Sequence, residues 1–262
     1  MWDVSHPARR TLLAAGLGAV ASGALAQTAP SRPARPRDVG RKFMADGRVR
    51  GFAGNTIISP VPQQGDGYAV FDRLLDIYRD LPGHAFARKI TALPTSSYHM
   101  TIFGGADDQA RQPGLWPEGV PLDAPMARCN AILAERLKGF RMGAAPPFRM
   151  VVDDHNPPDK VSPVTLQLRP VDAQENAKLR QVRDRLADAL KIRAPDHDRY
   201  QFHITIAYQI DWFTPEEQAD YAAALQGWRR ALQRQNVVFS FGAPEYCVFE
   251  DMFAFQRQFA LA

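Results

Sequence analysis

Tyr98-His99-Met100-Thr101-Ile102 returns later in the chain as Phe202-His203-Ile204-Thr205-Ile206. Each copy is an aromatic residue, His, an aliphatic residue, Thr and Ile. Both are mostly apolar and rich in β-branched residues, the composition of a buried strand. Positions i and i+2 of a strand share a face. His99 and Thr101 therefore point one way and Tyr98, Met100 and Ile102 the other. The same holds for His203 with Thr205 against Phe202, Ile204 and Ile206. Either copy alone reads as a core strand with a satisfied histidine. Together they supply two imidazoles and two hydroxyls, the parts of an acid–base site that grips an anion.

Around these strands the chain alternates strand-like and helix-like segments. Residues 52–59 read as a strand stopped by Pro60 and Pro62. Residues 68–81 carry helical apolar spacing and end at Pro82-Gly83. Residues 89–93 and 98–103 are short strands, the second stopped by Gly104-Gly105, and 106–123 form a loop. Residues 124–140 are helical. A second round follows: strands 148–152 and 164–168, a helix capped by Asp172 and running to about residue 192, and the motif strand 202–208. Thr214-Pro215-Glu216-Glu217 opens another helix, with Thr as N-cap and Pro at the first position. Residues 237–241, 246–249 and 253–259 close the chain as strands. The resulting expectation is one α+β domain of two similar lobes, each lining a shared cleft with its motif strand.

The chain has 262 residues, a formal net charge of +4 and a pI of about 9.2. Such a mildly basic chain without a run of like charge fits an anionic substrate and excludes duplex DNA as an expected partner, since no basic patch or groove-reading motif is present. Cys129 and Cys247 are far apart and outside any C-x-x-C pattern, so metal-cluster and thioredoxin-like readings are unsupported. One disulfide in an exported protein and two buried free thiols both remain open.

The N-terminus reads as an address. Arg9-Arg10 precedes a weakly apolar run broken by glycines, and Ala24-Leu25-Ala26 forms a small-residue cleavage box. The order is that of a secretory signal over residues 1–26, and the paired arginines resemble the bacterial twin-arginine class. Export to the periplasm, with no stable membrane insertion after cleavage, is the expectation. Residues 27–38, with Pro30, Pro33 and Pro36 among arginines, read as a linker, so the domain is placed at 39–262.

The paired motifs, with Gly-Asn-Thr-Ile-Ile (54–58) early, His-Met-Thr-Ile-Phe (99–103) centrally and Tyr-Gln-Phe-His-Ile-Thr-Ile-Ala-Tyr (200–208) late, resemble the 2H phosphoesterase superfamily. Its members include the RNA 2′,5′-ligase-like cyclic phosphodiesterases, and the likeness here is to a bacterial branch left functionally unassigned. It implies a bilobal fold with pseudo-two-fold symmetry and metal-independent hydrolysis of a phosphodiester, often a 2′,3′-cyclic phosphate. It also implies that His99 and His203 are the catalytic acid and base and that Thr101 and Thr205 hold the phosphate. No cofactor and no metal are expected. The expected partner is a small nucleotide, a cyclic phosphate or an RNA end, and the expected state a monomer.

One position departs from the pattern. Many members of the superfamily carry a phosphate-holding Arg five positions after the second motif His, where this chain has Tyr208; the corresponding first-motif position is Gly104. Strict alternation turns Tyr208 away from His203, although a tyrosine there would suit phosphate or a nucleobase. Phe103 shares the parity of His99 and is the other candidate to stack on a base, with core packing as the competing reading.

Other polar clusters carry less. Asp153-Asp154-His155 and Asp196-His197-Asp198 have no recognised zinc spacing and sit in loop-like sequence. No nucleotide-binding glycine fingerprint and no Gly-x-Ser-x-Gly turn occurs. The rival functions are an inactive nucleotide- or phosphosugar-binding cleft, and a metal-dependent hydrolase built on His197, Asp198 and His203.

Overall fold

Both motif segments form strands, and they lie side by side at the centre of one sheet. The computed structural model describes residues 32–153 and 164–262, of which Pro33–Ala262 form the compact unit. The signal-peptide reading, the first part of the linker, Asp154 and His155 lie outside the described residues. The strands are β1 (Gly54–Pro60), β2 (Ile90–Ala92), β3 (His99–Asp107), β4 (Phe148–Val152), β5 (Val164–Pro170), β6 (Phe202–Gln209), β7 (Phe239–Phe241), β8 (Glu245–Phe249) and β9 (Gln256–Ala260). The helices are α1 (Tyr68–Asp80), α2 (Met126–Arg136), α3 (Ala173–Leu190) and α4 (Pro215–Arg234). Among the described residues, no helix is long and apolar enough to cross a membrane.

The sheet order is β7-β4-β5-β6-β3-β1-β8-β9, with β2 also paired to β6. The expected α+β fold of two lobes is present, one built on β6 and the other on β3. The C-terminal strands β8 and β9 complete the first lobe, because β8 pairs with β1 rather than with the strands nearest in sequence. The two motif strands share a single antiparallel residue pair, Met100 with Ile204. Beyond it, the far half of β6 pairs with β2, from Ala207 to Gln209. Parting strands leave a cleft between the lobes where the motif side chains emerge.

Apolar alternation drives this placement. Tyr98, Met100, Ile102, Phe202, Ile204 and Ile206 are at most 1% exposed, while His99, Thr101, His203 and Thr205 are half-buried. Asp172 caps α3, its Oδ1 accepting from the Glu175 N–H at 2.7 Å. At α4, Thr214 Oγ1 accepts from the Glu217 N–H and the Glu217 carboxylate accepts from the Thr214 N–H. Such caps contribute about 1 kcal/mol each.

Three details differ from the sequence reading or refine it. Gly104-Gly105 does not stop β3, which continues to Asp107. A Cβ at Gly105 would collide with Asn55, whose side chain instead accepts from the Ala106 N–H at 3.0 Å and donates to Asn130 Oδ1 at 2.8 Å. Glycine there lets an asparagine bridge the strand to α2. Pro36 and Asp38 are buried, so packing begins shortly before the boundary placed at Val39. Cys129 and Cys247 are both free thiols, buried on α2 and β8.

His84 closes the turn after α1. Its Nδ1 lies 3.0 Å from Asp220 Oδ1 and its Nε2 3.1 Å from Asp80 Oδ2, and Asp80 also accepts from Trp228 Nε1 at 2.7 Å. Burial opposes a charge on this ring, but Asp220 and Asp80 outweigh it and raise the His84 pKa. A raised folded-state pKa gives stability that is full below the unfolded value near 6.5 and lost as pH rises through the folded value. His84→Gln should therefore cost about 1 kcal/mol or more at about pH 6 and less at about pH 9, measured by urea unfolding. An equal loss at both pH values would show that the charge contributes nothing.

Candidate active site

The two histidines are anchored in the same way. His99 Nδ1 donates to the Ser97 carbonyl at 2.7 Å, and His203 Nδ1 donates to the Gln201 carbonyl at 3.0 Å. A carbonyl only accepts, so it fixes the proton on Nδ1 and leaves Nε2 as the basic nitrogen. Neither Nε2 has a protein hydrogen-bond partner among the described residues. Burial lowers both pKa values. His99 falls to about 4, with the Ser97 carbonyl working against the shift and the neighbouring His203 charge adding to it. For His203, the Gln201 carbonyl opposes burial and the Lys42 charge assists it. At neutral pH the cleft thus holds two neutral imidazoles with free lone pairs.

Each motif strand then breaks its alternation at the same place. Thr101 faces Ile58, but Phe103 faces the next β1 residue, Ile57, so Ile102 is an extra residue in β3. Thr205 faces Thr165 and Ala207 faces Val164, so Ile206 is the extra residue in β6. These are β-bulges three residues after each histidine, and a bulge reverses the side-chain parity beyond it. The bulged carbonyls are captured individually: Ile102 O accepts from Arg183 Nη1 at 2.6 Å and Ile206 O from the Leu93 N–H at 2.9 Å.

Parity reversal corrects both expectations drawn from strict alternation. Phe103 is turned inward, 3% exposed, between the His197 ring and the Arg183 guanidinium, and does not line the cleft. Tyr208 is turned toward His203 and lines the cleft on both sides. Gly104, the symmetry mate of Tyr208, faces open space. The cleft is consequently asymmetric, with a phenol on one side of the two-fold relation and room on the other.

The cleft has two connected halves that share Lys42, His203, Thr205 and Tyr208. One, of about 220 Å³, contains His99 and Thr101 under an apolar wall of Phe52, Phe249, Met252 and Phe255. Phe255 meets the His99 ring edge-on at 4.5 Å. The other, of about 400 Å³, is polar and carries Arg37 and Arg199 with Asp196, Gln167 and Gln201. All four predicted site residues of the two motifs thus reach one cleft.

Tyr200 and Lys42 are the site residues that sequence reasoning missed. Burial pushes the Tyr200 phenol pKa up to about 12, with the nearby Thr101 side chain acting against the shift. Its ring packs 6.2 Å from His203 and 4.1 Å from the Arg183 guanidinium, so it ties the first motif to the second. Its place three residues before His203 was the available signal. Lys42 lies far from both motifs and offered none.

Asp184 on α3 and His197 and Asp198 in the turn before β6 have their ligand atoms close enough together for a cation. Arg193 already pairs with both carboxylates, at 3.4 Å to Asp184 and 2.7 Å to Asp198, and His197 Nε2 bonds Asp184 at 2.9 Å. His203 is not part of this cluster, so the set His197, Asp198 and His203 is not brought together.

Residues 42–160 match the family model named 2H-phosphodiest, described as a domain of unknown function (DUF1868). That span includes His99 and Thr101, while His203 and Thr205 fall beyond it. Among solved structures, the conserved protein of unknown function ATU0111 from Agrobacterium tumefaciens str. C58 is similar, with a TM-score of 0.78 and 28% identity over 86% of this chain and 93% of that one. More distant likenesses are E. coli LigT complexed with NADP+ (TM-score 0.42, 12% identity, 80% and 98% covered) and TT0787 of Thermus thermophilus (TM-score 0.34, 12% identity, 74% and 86% covered). No curated protein matches the chain. The 2H phosphoesterase resemblance drawn from the paired motifs is borne out by the family match.

Lowered histidine pKa values have a sign that stability can read. Protons bind the unfolded chain better than the folded one, so stability is full above about pH 6.5 and lost as pH falls toward about 4. The double variant His99→Asn/His203→Asn, whose amides can keep the Nδ1 hydrogen bonds, should lose less thermal stability than the wild type between about pH 7.5 and about pH 5. Parallel losses would mean that the imidazoles are not held neutral.

Proposed function

We propose that this chain, a protein of the 2H phosphoesterase type, hydrolyses a cyclic 2′,3′-type or short nucleotide phosphodiester by acid–base catalysis between His99 and His203, without a metal. The observation that carries this reading is the matched pair of imidazoles, each fixed through Nδ1 and each with a threonine beside it on one cleft.

One Nε2 takes a proton from the attacking water as its oxygen bonds to phosphorus. The other imidazole, carrying a proton on Nε2, gives it to the departing ribose oxygen as the P–O bond breaks. The net change is addition of water, and the two rings finish with their protons exchanged and reset through solvent. A bound phosphodiester is an anion, so its arrival raises the pKa of both rings and favours the one proton that the acid requires. The Thr101 and Thr205 hydroxyls donate to the non-bridging oxygens, where negative charge builds. The apolar half beside His99 suits a base or ribose face, with Phe255 and Phe249 as stacking surfaces.

Export by a twin-arginine-type signal into the periplasm, read from residues 1–26, is part of the same proposal.

A turnover screen tests the reading, using 2′,3′-cyclic nucleotides, 2′,5′-linked dinucleotides and sugar cyclic phosphates with and without EDTA. Turnover should survive EDTA, follow a bell-shaped pH profile, and fall about 10²- to 10⁴-fold in His99→Ala or His203→Ala with ligand binding retained. Saturable binding without turnover across the panel would make the protein a binding module. EDTA-sensitive turnover with stoichiometric bound metal would make it a metal hydrolase.

A further inference from the structure

We propose that Lys42, carried on the N-terminal segment that precedes β1, is the cation that grips the anionic oxygens of the substrate phosphate, and that Tyr208 is its positioning residue. This rests on the phosphodiester reading above and adds the charged group that reading leaves unspecified.

Lys42 is placed for the role by its contacts with Tyr208, Phe52 and Asp38. Its Nζ donates to the Tyr208 hydroxyl at 3.2 Å. It lies 5.1 Å from the centre of the Phe52 ring and 4.9 Å from that of Tyr208, held between two aromatic rings. Asp38, 5% exposed, approaches it at 3.9 Å. That carboxylate also faces Arg37 at 3.8 Å and Arg41 at 3.6 Å, so one negative charge is divided among three positive ones. An ammonium has three N–H groups. Tyr208 takes one, and the 3.9 Å approach of Asp38 is too long for a hydrogen bond. Donors remain for an anion in the cleft.

The backbone behind Lys42 is fixed as well. Phe43 is fully buried, with its ring 4.9 Å from Tyr208 and 6.1 Å from Phe253. The Arg50 N–H donates to Lys42 O at 2.8 Å. A cation held this way before the substrate arrives needs no reorganisation to meet it.

Position separates Lys42 from the other cations. Arg37 and Arg199 line only the polar half of the cleft, whereas Lys42 lines both halves together with His203, Thr205 and Tyr208. Its charge already acts on His203, holding that ring's pKa down in support of burial. A phosphate between the two imidazoles would therefore lie within reach of Lys42. The bulge at Ile206 is what makes this possible, because it turns the Tyr208 hydroxyl to the side where Lys42 can use it.

The test measures binding of inorganic phosphate by calorimetry, turnover on the diester panel and the His203 pKa by NMR, all on the full chain. Lys42→Met should weaken phosphate binding and lower kcat/KM about 10- to 100-fold, and Lys42→Arg should stay within about fivefold of wild type. Loss of the Lys42 charge should raise the His203 pKa and move upward whichever limb of the pH profile His203 sets. Tyr208→Phe, which keeps the ring and removes the anchor, should give a smaller loss of phosphate affinity. It serves as the second variant should Lys42→Met melt out of range. Wild-type phosphate affinity with an unmoved His203 pKa in Lys42→Met would overturn the assignment of Lys42, and wild-type phosphate affinity in Tyr208→Phe would overturn the positioning role of Tyr208. Lys42-dependent phosphate binding in a protein that turns over no diester would overturn the catalytic reading and leave Lys42 in place. His99-dependent turnover indifferent to Lys42 would do the reverse.

Discussion

One antiparallel contact, between Met100 and Ile204, brings the two motif strands together. Both residues are fully buried, so the contact is an apolar one that holds because it removes side chains from water. On the opposite face of the same strands, the histidines and threonines are carried toward each other as a geometric by-product. A slip by one residue in either strand would exchange the faces and bury an imidazole while exposing a core aliphatic, which is why the register is strongly specified. The site inherits its precision from the core behind it. The strands pair at that point alone, with β2 taking over the far half of β6, and this keeps the cleft open.

Much of this was legible in the sequence. The period-two alternation around His99 and His203, the Asp172 and Thr214 caps, and the helix at 68–80 follow from local composition and appear where composition puts them. The bulges did not, and they have the largest consequences for the site. Nothing in Thr-Ile-Phe or Thr-Ile-Ala states that an isoleucine will lie outside the ladder, because the cause is not local. Ile102 O is held by Arg183 from α3, and Ile206 O by the Leu93 N–H that follows β2. Each bulge is stabilised by a partner distant in sequence, and each moves the next residues to the opposite face. Alternation thus succeeded up to the threonine of each motif and failed one residue later. Phe103 and Tyr208 fell on the wrong side of that limit, and Lys42 was invisible because its relation to the motifs exists only in the folded chain.

The near two-fold symmetry of the backbone makes the differences between the halves informative. At the symmetry-related positions Gly104 and Tyr208, one side offers space and the other a hydroxyl bonded to a lysine. The His99 side is walled by phenylalanines and the His203 side by arginines and amides. Backbone symmetry alone would let the two histidines exchange roles freely with substrate orientation. Unequal surroundings remove that freedom, because a ligand with an apolar end and an anionic end has one favourable direction in the cleft. On the proposed reading, the substrate's polarity is therefore a property of the walls and not of the histidine pair.

Charge supplies the last link between fold and chemistry. Burial lowers the pKa of both imidazoles, the His203 charge adds to the shift on His99, and Lys42 adds to the shift on His203. A pair of neutral bases cannot perform acid–base catalysis, which needs one proton between them. In the proposed mechanism a bound phosphodiester, being an anion, supplies the stabilisation for that proton. On the proposed reading, substrate and proton are thermodynamically linked: the anion raises the imidazole pKa, and by the same coupling a protonated imidazole tightens the anion. The desolvation that makes His99 a poor acid in the free protein also makes it respond strongly to a bound charge, because interactions are less screened where water is excluded. A neutral ligand of the same shape would fill the cleft without creating the acid, so the proposed mechanism would select for an anion in its chemistry as well as in binding.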